Sequence, residues 1–173
     1  MLDILRKRRS TRQYTSQGLT PEILNQLKEA VLRSPSSRSL NPWEFIFVTD
    51  RSLLAELSKV KPHGAQFLRD AALGVVVLGN ERVSDTWIED CAIASIILQL
   101  TCESLDLGSC WVQIRLRHCD ASTTAEARVR QILSIPAELR VESIISIGHP
   151  ATRGTPHPRE SLQDPKIKTN TYA

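Results

Sequence analysis

Residues 84–105 constrain this sequence more than any other stretch. Their middle, Ala92-Ile93-Ala94-Ser95-Ile96-Ile97-Leu98-Gln99-Leu100, has the character of a helix that is apolar around most of its circumference instead of along one stripe. Such a helix must be surrounded. A chain of 173 residues has too little interior to enclose it, so a second subunit is the expected cover. The apolar run is also well short of the roughly 20 residues that cross a bilayer.

The elements on either side read as alternating helices and strands. Leu2, Ile4 and Leu5 make a short amphipathic helix that ends in the basic run Arg6–Arg9. Thr20-Pro21-Glu22 combines an N-cap, a proline at the first helical position and an early acid, and Ile23, Leu24, Leu27, Ala30 and Val31 follow at helical spacing. Residues 33–42 hold two prolines and four serines, which predicts a polar loop leading into a strand over Trp43–Val48. Asp50 is placed to cap a helix through Leu53, Leu54 and Leu57, and Lys61-Pro62-His63-Gly64 breaks the chain. A helical turn at Phe67 and Leu68, a buried strand over Gly74–Leu78, the long helix from Ser84 to Leu105 and a strand over Cys110–Ile114 follow. The spacing then predicts a helix over 123–133 and a last strand over Ser143–Ile147, stopped by Gly148-His149-Pro150. Residues 151–173 carry three prolines and few apolar side chains, and alone would be a disordered tail.

With 41% hydrophobic and 24% charged residues the chain is expected to fold as one domain spanning 1–173. Charge arrives too early in the first nine residues for a secretory signal, so a cytoplasmic location is expected. Cys91, Cys102, Cys110 and Cys119 lack CxxC pairing and metal-ligand spacing and read as buried free thiols, with no metal site expected. Cys91 and Cys102 stand eleven residues apart, about three helical turns, on one helix face. Helix-separated strands make a doubly wound nucleotide fold the first guess from spacing, but no strand is followed by GxGxxG or GxxxxGK[ST].

Three groups of residues carry candidate chemistry. Arg8-Arg9-Ser10-Thr11-Arg12 puts three guanidinium forks and two hydroxyls within five residues, a donor set suited to a phosphomonoester; a solvated helix end, a nucleic-acid contact or a basic targeting patch reads equally well from composition. The loop Pro35-Ser36-Ser37-Arg38-Ser39-Leu40-Asn41-Pro42 concentrates hydroxyls, an amide and a cation before a strand and can hydrogen-bond a heteroaromatic edge, or serve only as a turn. Gly108 to Arg117 forms a turn into a strand carrying Trp111. His63, His118, His149 and His157 are scattered in or near loops without triad logic, and no paired-carboxylate motif is present, so hydrolysis by side chains is poorly supported.

Taken in order, Arg8-Arg9-Ser10-Thr11-Arg12-Gln13-Tyr14, Pro35-Ser36-Ser37 through Pro42-Trp43-Glu44-Phe45, Trp87-Ile88-Glu89-Asp90, Leu107-Gly108-Ser109-Cys110-Trp111-Val112-Gln113-Ile114-Arg115, Ile135-Pro136 and Ile147-Gly148-His149-Pro150 resemble the nitroreductase family of FMN flavoproteins. The resemblance spans Arg8 to Tyr172. It implies an α+β fold, a three-layer α-β-α sandwich around a central mixed sheet, assembled as an intertwined homodimer with FMN in clefts shared by both chains. Residues 151–173 become an extended C-terminal arm. By the same resemblance Arg8, Arg9, Ser10 and Arg12 would hold the phosphate, ribityl chain and pyrimidine edge, and Pro35, Ser36, Ser37 and Ser39 would come from the other subunit. Trp111, Val112 and Gln113 would approach the ring, Arg159 would be a further phosphate cation, and His63 and Gln66 are additional ring-edge candidates. Cations or amides aimed at the N1–C2=O edge stabilise reduced flavin, a role for Arg12 or Arg9. Ser39 stands where many relatives have asparagine, and Lys168 where close relatives often show histidine.

The implied activity is hydride transfer from NADH or NADPH to flavin N5 and onward to a small acceptor such as a nitroaromatic or quinone, with no catalytic side chain required. Expected partners are a second copy and that acceptor, without nucleic acid or membrane. The alternatives are a nucleic-acid-binding protein using Arg6 to Arg12 and a flavin-binding protein without turnover.

Overall fold

Five helices and four strands follow one another in a computed structural model that describes residues 1–172; Ala173, the last residue of the expected arm, lies outside them. They are α1 (Leu2–Lys7), α2 (Pro21–Leu32), β1 (Trp43–Val48), α3 (Arg51–Leu57), β2 (Leu73–Gly79), α4 (Trp87–Ser104), β3 (Gly108–Gln113), α5 (Ala125–Leu133) and β4 (Arg140–Gly148). The caps read from sequence are in place at two of these starts. The Thr20 hydroxyl accepts from the Ile23 amide, and the Asp50 carboxylate accepts from the Ser52 and Leu53 amides at 2.8 and 3.0 Å.

Two starts differ most from the expected ones, by three residues each. The long helix starts at Trp87, not Ser84, because the Ser84 and Thr86 hydroxyls turn back to bond each other and the Asp90 carboxylate, which holds their backbone out of the helix. The last strand starts at Arg140, three residues earlier than expected. There the Glu126 carboxylate binds the Arg140 guanidinium at 2.8 and 3.1 Å and the Val141 amide at 3.2 Å, tying strand to α5.

The sheet has the order β1-β2-β4-β3, and all three pairings are antiparallel, which corrects the expected mixed sheet. One long helix, α4, does join two strands that run the same way, as a single-helix crossover should. Those strands, β2 and β3, are not neighbours, because β4 lies between them and opposes both. Parallel pairing survives only as an isolated bridge between Ser10 and Ser109.

Strand alternation feeds two hydrophobic cores. Val76, Leu78, Val112 and Ile144 pack with Leu54 and Leu57 of α3 and Val129 of α5. Leu73, Val75, Val77, Ile145 and Ile147 pack with Leu27 and Val31 of α2 and Cys91, Ala94, Leu98 and Cys102 of α4. Cys91 and Cys102 therefore share one buried helix face, as their spacing predicts. Cys119 departs from the expected burial and is only half-buried; all four cysteines are free thiols. On the opposite face of α4, Ile93 and Ile96 remain 38% and 40% exposed.

Every described residue from 151 onward is exposed. No helix among the described residues is long and apolar enough to cross a membrane.

Candidate functional site

The segment after α1 lies along the ends of β3 and β4 because two glycines let it come close. A Cβ on Gly108 would stand 2.6 Å from the Thr11 side chain, and one on Gly148 would stand 2.9 Å from the Tyr14 ring. In that space the Thr11 amide donates to the Ser109 carbonyl at 2.9 Å and the Thr15 amide to the His149 carbonyl at 2.9 Å. The Tyr14 hydroxyl donates to the Thr11 carbonyl at 2.7 Å and shares a 2.7 Å bond with the Ser146 hydroxyl. Burial holds the Tyr14 phenol far above its ordinary range, so it anchors the segment as a neutral group.

Consecutive side chains of this segment part to opposite sides. Arg8, Ser10 and Arg12 gather near Cys110: Ser10 bridges Ser109 beside it, and the two guanidinium groups together with the Lys61 ammonium act on the thiol electrostatically. Burial outweighs them and keeps the Cys110 thiol raised, hence protonated, so it is no nucleophile. The Arg12 guanidinium lies over the Phe67 ring, 5.8 Å from its centre. Arg9 faces the other way. It donates to the Thr155 carbonyl and, with Lys7, Glu103 and Arg153, lines a separate cavity of about 170 Å³.

Along β3 the predicted ring contacts divide by strand parity. Trp111 and Gln113 are half-buried and joined, the indole N–H donating to Gln113 Oε1 at 2.9 Å and Gln113 Nε2 donating to the Arg115 carbonyl at 2.9 Å. Val112 is wholly buried in the α3–α5 core, so its side chain is unable to meet a ligand and only its backbone is available. Lys61 Nζ donates to the Gln113 carbonyl at 3.0 Å.

The serine loop sits at the other edge of the sheet, before β1. Arg38, Ser39 and Asn41 hold left-handed backbone with φ of 53°, 54° and 49°, a conformation unfavourable for such residues that persists only where surroundings enforce it. The enforcement is visible: Asp90, 2% exposed, accepts from the Ser37 amide at 2.8 Å, and Ser36 exchanges bonds with the Asn41 side chain and amide at 2.7 and 2.9 Å. Arg38 also pairs with Asp85. Pro35 and Ser39 are exposed and Ser36 and Ser37 half-buried.

Within one chain the structure brings Arg8, Ser10, Arg12, Trp111 and Gln113 to one sheet edge and leaves Pro35, Ser36, Ser37 and Ser39 at the opposite one. Three strand spacings of about 4.8 Å, or roughly 14 Å, separate the edges. Arg159 joins neither group; it is exposed and bound to Asp164 by two 2.9 Å contacts. His63 is exposed, and Gln66 spends its amide on its own turn, accepting from Gly64 and donating to the Pro62 carbonyl. Two contributors escaped the sequence reading. Lys61 lay inside a motif read only as a chain break, and Asp90 lay inside a recognised string with no role attached; a buried acid on an apolar helix face was the available signal.

A sheet edge that presents guanidinium, hydroxyl and aromatic groups together has the equipment for a phosphorylated aromatic ligand. The chain belongs to the nitroreductase family, whose profile matches residues 5–62 and 59–149. Its backbone superposes with a TM-score of 0.97 on an FMN-dependent nitroreductase from Clostridium difficile R20291, at 37% identity, over 99% of this chain and 100% of that one. A Methanothermobacter thermautotrophicus protein provisionally named NADH dehydrogenase/NAD(P)H nitroreductase is 31% identical over 157 residues, covering 87% of this chain and 78% of its own. A Thermus thermophilus NADH dehydrogenase is 26% identical over 194 residues, covering 91% and 90%.

Proposed function

We propose that this protein is an FMN-dependent oxidoreductase that takes electrons from NADH or NADPH and delivers them to a small acceptor, such as a nitroaromatic or a quinone. The observation that carries this reading is the grouping of Arg8, Ser10 and Arg12 beside Trp111 and Gln113 in a chain of the nitroreductase family. The donor set fits the cofactor: permanent cations and a hydroxyl suit a phosphate and ribityl chain, while the half-buried indole, amide and strand backbone suit a flat heteroaromatic ring. Bound FMN supplies the electron transfer through its N5 position. The chain's own tasks are then to bind, to orient and to exclude water. Arg8 and Ser10 serve the phosphate end. Arg12, held over Phe67, is better placed than Arg9 for the flavin edge that gains charge, because Arg9 faces the tail.

The same reading makes the working unit a homodimer of single-domain chains, each a three-layer α-β-α sandwich, with residues 151–173 as an arm around the partner. A symmetric pair would bring the serine loop of one chain to the cation edge of the other and cover Ile93 and Ile96 of α4. Arg159 then reaches a phosphate only if the arm leaves its local pairing with Asp164. A cytoplasmic location fits this reading. A nucleic-acid role is less well supported, because the basic run is dispersed: Arg6 pairs with Asp3, Arg9 bonds Thr155, and Arg12 covers Phe67.

The test is a visible spectrum of natively purified protein before and after NADH or NADPH, followed by steady-state turnover with a quinone. A flavin spectrum bleached by the nicotinamide and restored by the acceptor is expected. A yellow protein inert to both nicotinamides would leave flavin binding without turnover, and a colourless protein with no affinity for added FMN would refute the proposal.

A further inference from the structure

We infer that Lys61 is a further cation of this flavin site, standing at the ring end of the cleft and favouring the reduced, negatively charged form of the cofactor over the oxidised one. The inference rests on the FMN reading and adds to it a residue outside the expected set.

Two contacts locate the ammonium. Lys61 Nζ donates to the carbonyl of Gln113, the last residue of β3, at 3.0 Å, and a Cβ on Gly64 would lie 3.7 Å from the same nitrogen. Lys61 thus ties the 61–66 loop to the end of the strand that carries Trp111 and Gln113. One N–H is used there, and an ammonium has two more to offer. Lys61 also acts electrostatically on Cys110, as Arg8 and Arg12 do.

The spacing of these charges is informative. Ser10 bridges Ser109 at the beginning of β3, and Lys61 holds Gln113 at its end. Four residues of strand separate the two points, on the order of 13 Å at about 3.3 Å per residue. Arg8 and Ser10 thus belong to the segment at the start of β3, and Lys61 stands at its end. A short anion would need one of these points; a molecule with a phosphate at one end and an electron-accepting ring at the other uses both. Among the described residues no carboxylate forms an ion pair with Lys61, while partial burial and the neighbouring Arg117 both work against its charged form. Negative charge arriving at the ring end relieves that strain, which is why the reduced cofactor gains more than the oxidised one.

The experiment uses full-length apo-protein as wild type, Lys61→Met and Lys61→Arg. Titration of the wild type with FMN tests the cofactor reading alone, and absence of binding there sinks both claims. With binding established, the midpoint potential of the bound flavin is measured against reference dyes. Lys61→Met should lose about tenfold of the preference for reduced over oxidised FMN, the order expected for one charge roughly 10 Å away at an effective dielectric constant near 20, and the potential should become more negative. Lys61→Arg should restore most of it, since the guanidinium keeps the charge. A folded Lys61→Met protein with unchanged preference overturns the inference while leaving the FMN reading intact. If Lys61→Met does not fold, Lys61→Gln, neutral and still able to donate to Gln113, is read by the same criteria.

Discussion

Extended backbone sends neighbouring side chains to opposite sides, and in the segment after α1 this separates arginines that look equivalent in the sequence. Arg8 belongs to the group around Cys110, whereas Arg9 bonds the Thr155 carbonyl and faces the separate cavity lined by Lys7, Glu103 and Arg153. Arg8→Ala should therefore weaken FMN binding by about 10- to 100-fold, since a hydrogen bond to a charged group contributes roughly 1.5–3 kcal/mol. Arg9→Ala should change it by less than about threefold, and fluorescence titration of the two variants side by side checks the difference. A second residue-level prediction concerns Glu142, which lacks a Cα partner on β2 where the register shifts and is 4% exposed, with Oε2 unpartnered. Burial raises its pKa above the ordinary value of 4.5, against the opposing pull of Ser143 and Arg115. A carboxyl whose folded pKa lies above its unfolded one destabilises the fold progressively as pH rises from the unfolded value, and fully once pH exceeds the folded value. Glu142→Gln should thus raise stability at pH 8 by about 1–2 kcal/mol, the scale of an unsatisfied buried polar group, with the gain shrinking toward pH 4.5. Urea midpoints across that range would show it; a gain that grew on acidification would contradict it.

At the scale of elements, what was legible depended on whether the determining contact is local. α2 and α3 carry their caps beside them, and β1 follows a loop that forbids helix, so all three could be read with nearly correct ends. The start of β4 depends on Glu126, fourteen positions before Arg140, and the start of α4 on hydroxyls competing for Asp90, so neither was visible in a local pattern. Strand direction was misread for a related reason: a helix between strands implies a parallel pair only when nothing is inserted, and β4 is inserted between β2 and β3. The candidate site was legible as short strings, whereas the side each string faces was not, which is why Val112 was counted and Lys61 passed over. Docking of residues 10–11 on β3 depends on Gly108. Gly108→Ala should cost about 1–3 kcal/mol, because backbone and a β-branched Thr11 must both move, and should lower FMN affinity with it. Adding Thr11→Gly should recover part of both, measurable by urea unfolding and FMN titration. Equal losses in the single and double variants would mean that the crowding lies elsewhere.

For the molecule as a whole, the argument turns on what one chain leaves unfinished. Its two groups of candidate flavin residues sit at opposite edges of one sheet, and no hydrogen bond among the described residues joins them. Its longest helix buries one face on the sheet and leaves Ile93 and Ile96 facing outward, near a cavity lined by Met1, Ile4, Ile97 and Leu100. The proposed symmetric dimer through α4 would answer both at once, covering the isoleucines and bringing each serine loop to the partner's cation edge. Combining Ile93→Asp with Ile96→Asp places charge on that outer face while sparing the side chains that pack on the sheet, so the isolated fold should persist, with near-native far-ultraviolet circular dichroism. On the proposed dimer, light scattering should report a dimer for the wild type and a monomer for the variant, and FMN affinity should fall by at least about 100-fold, the loss expected if a second chain supplies several hydrogen bonds to each site. The two readouts must move together: a monomeric variant that holds FMN as tightly as the wild type would mean that the serine loop has no part in the site, and a variant that stays dimeric would place the contact on a face other than α4.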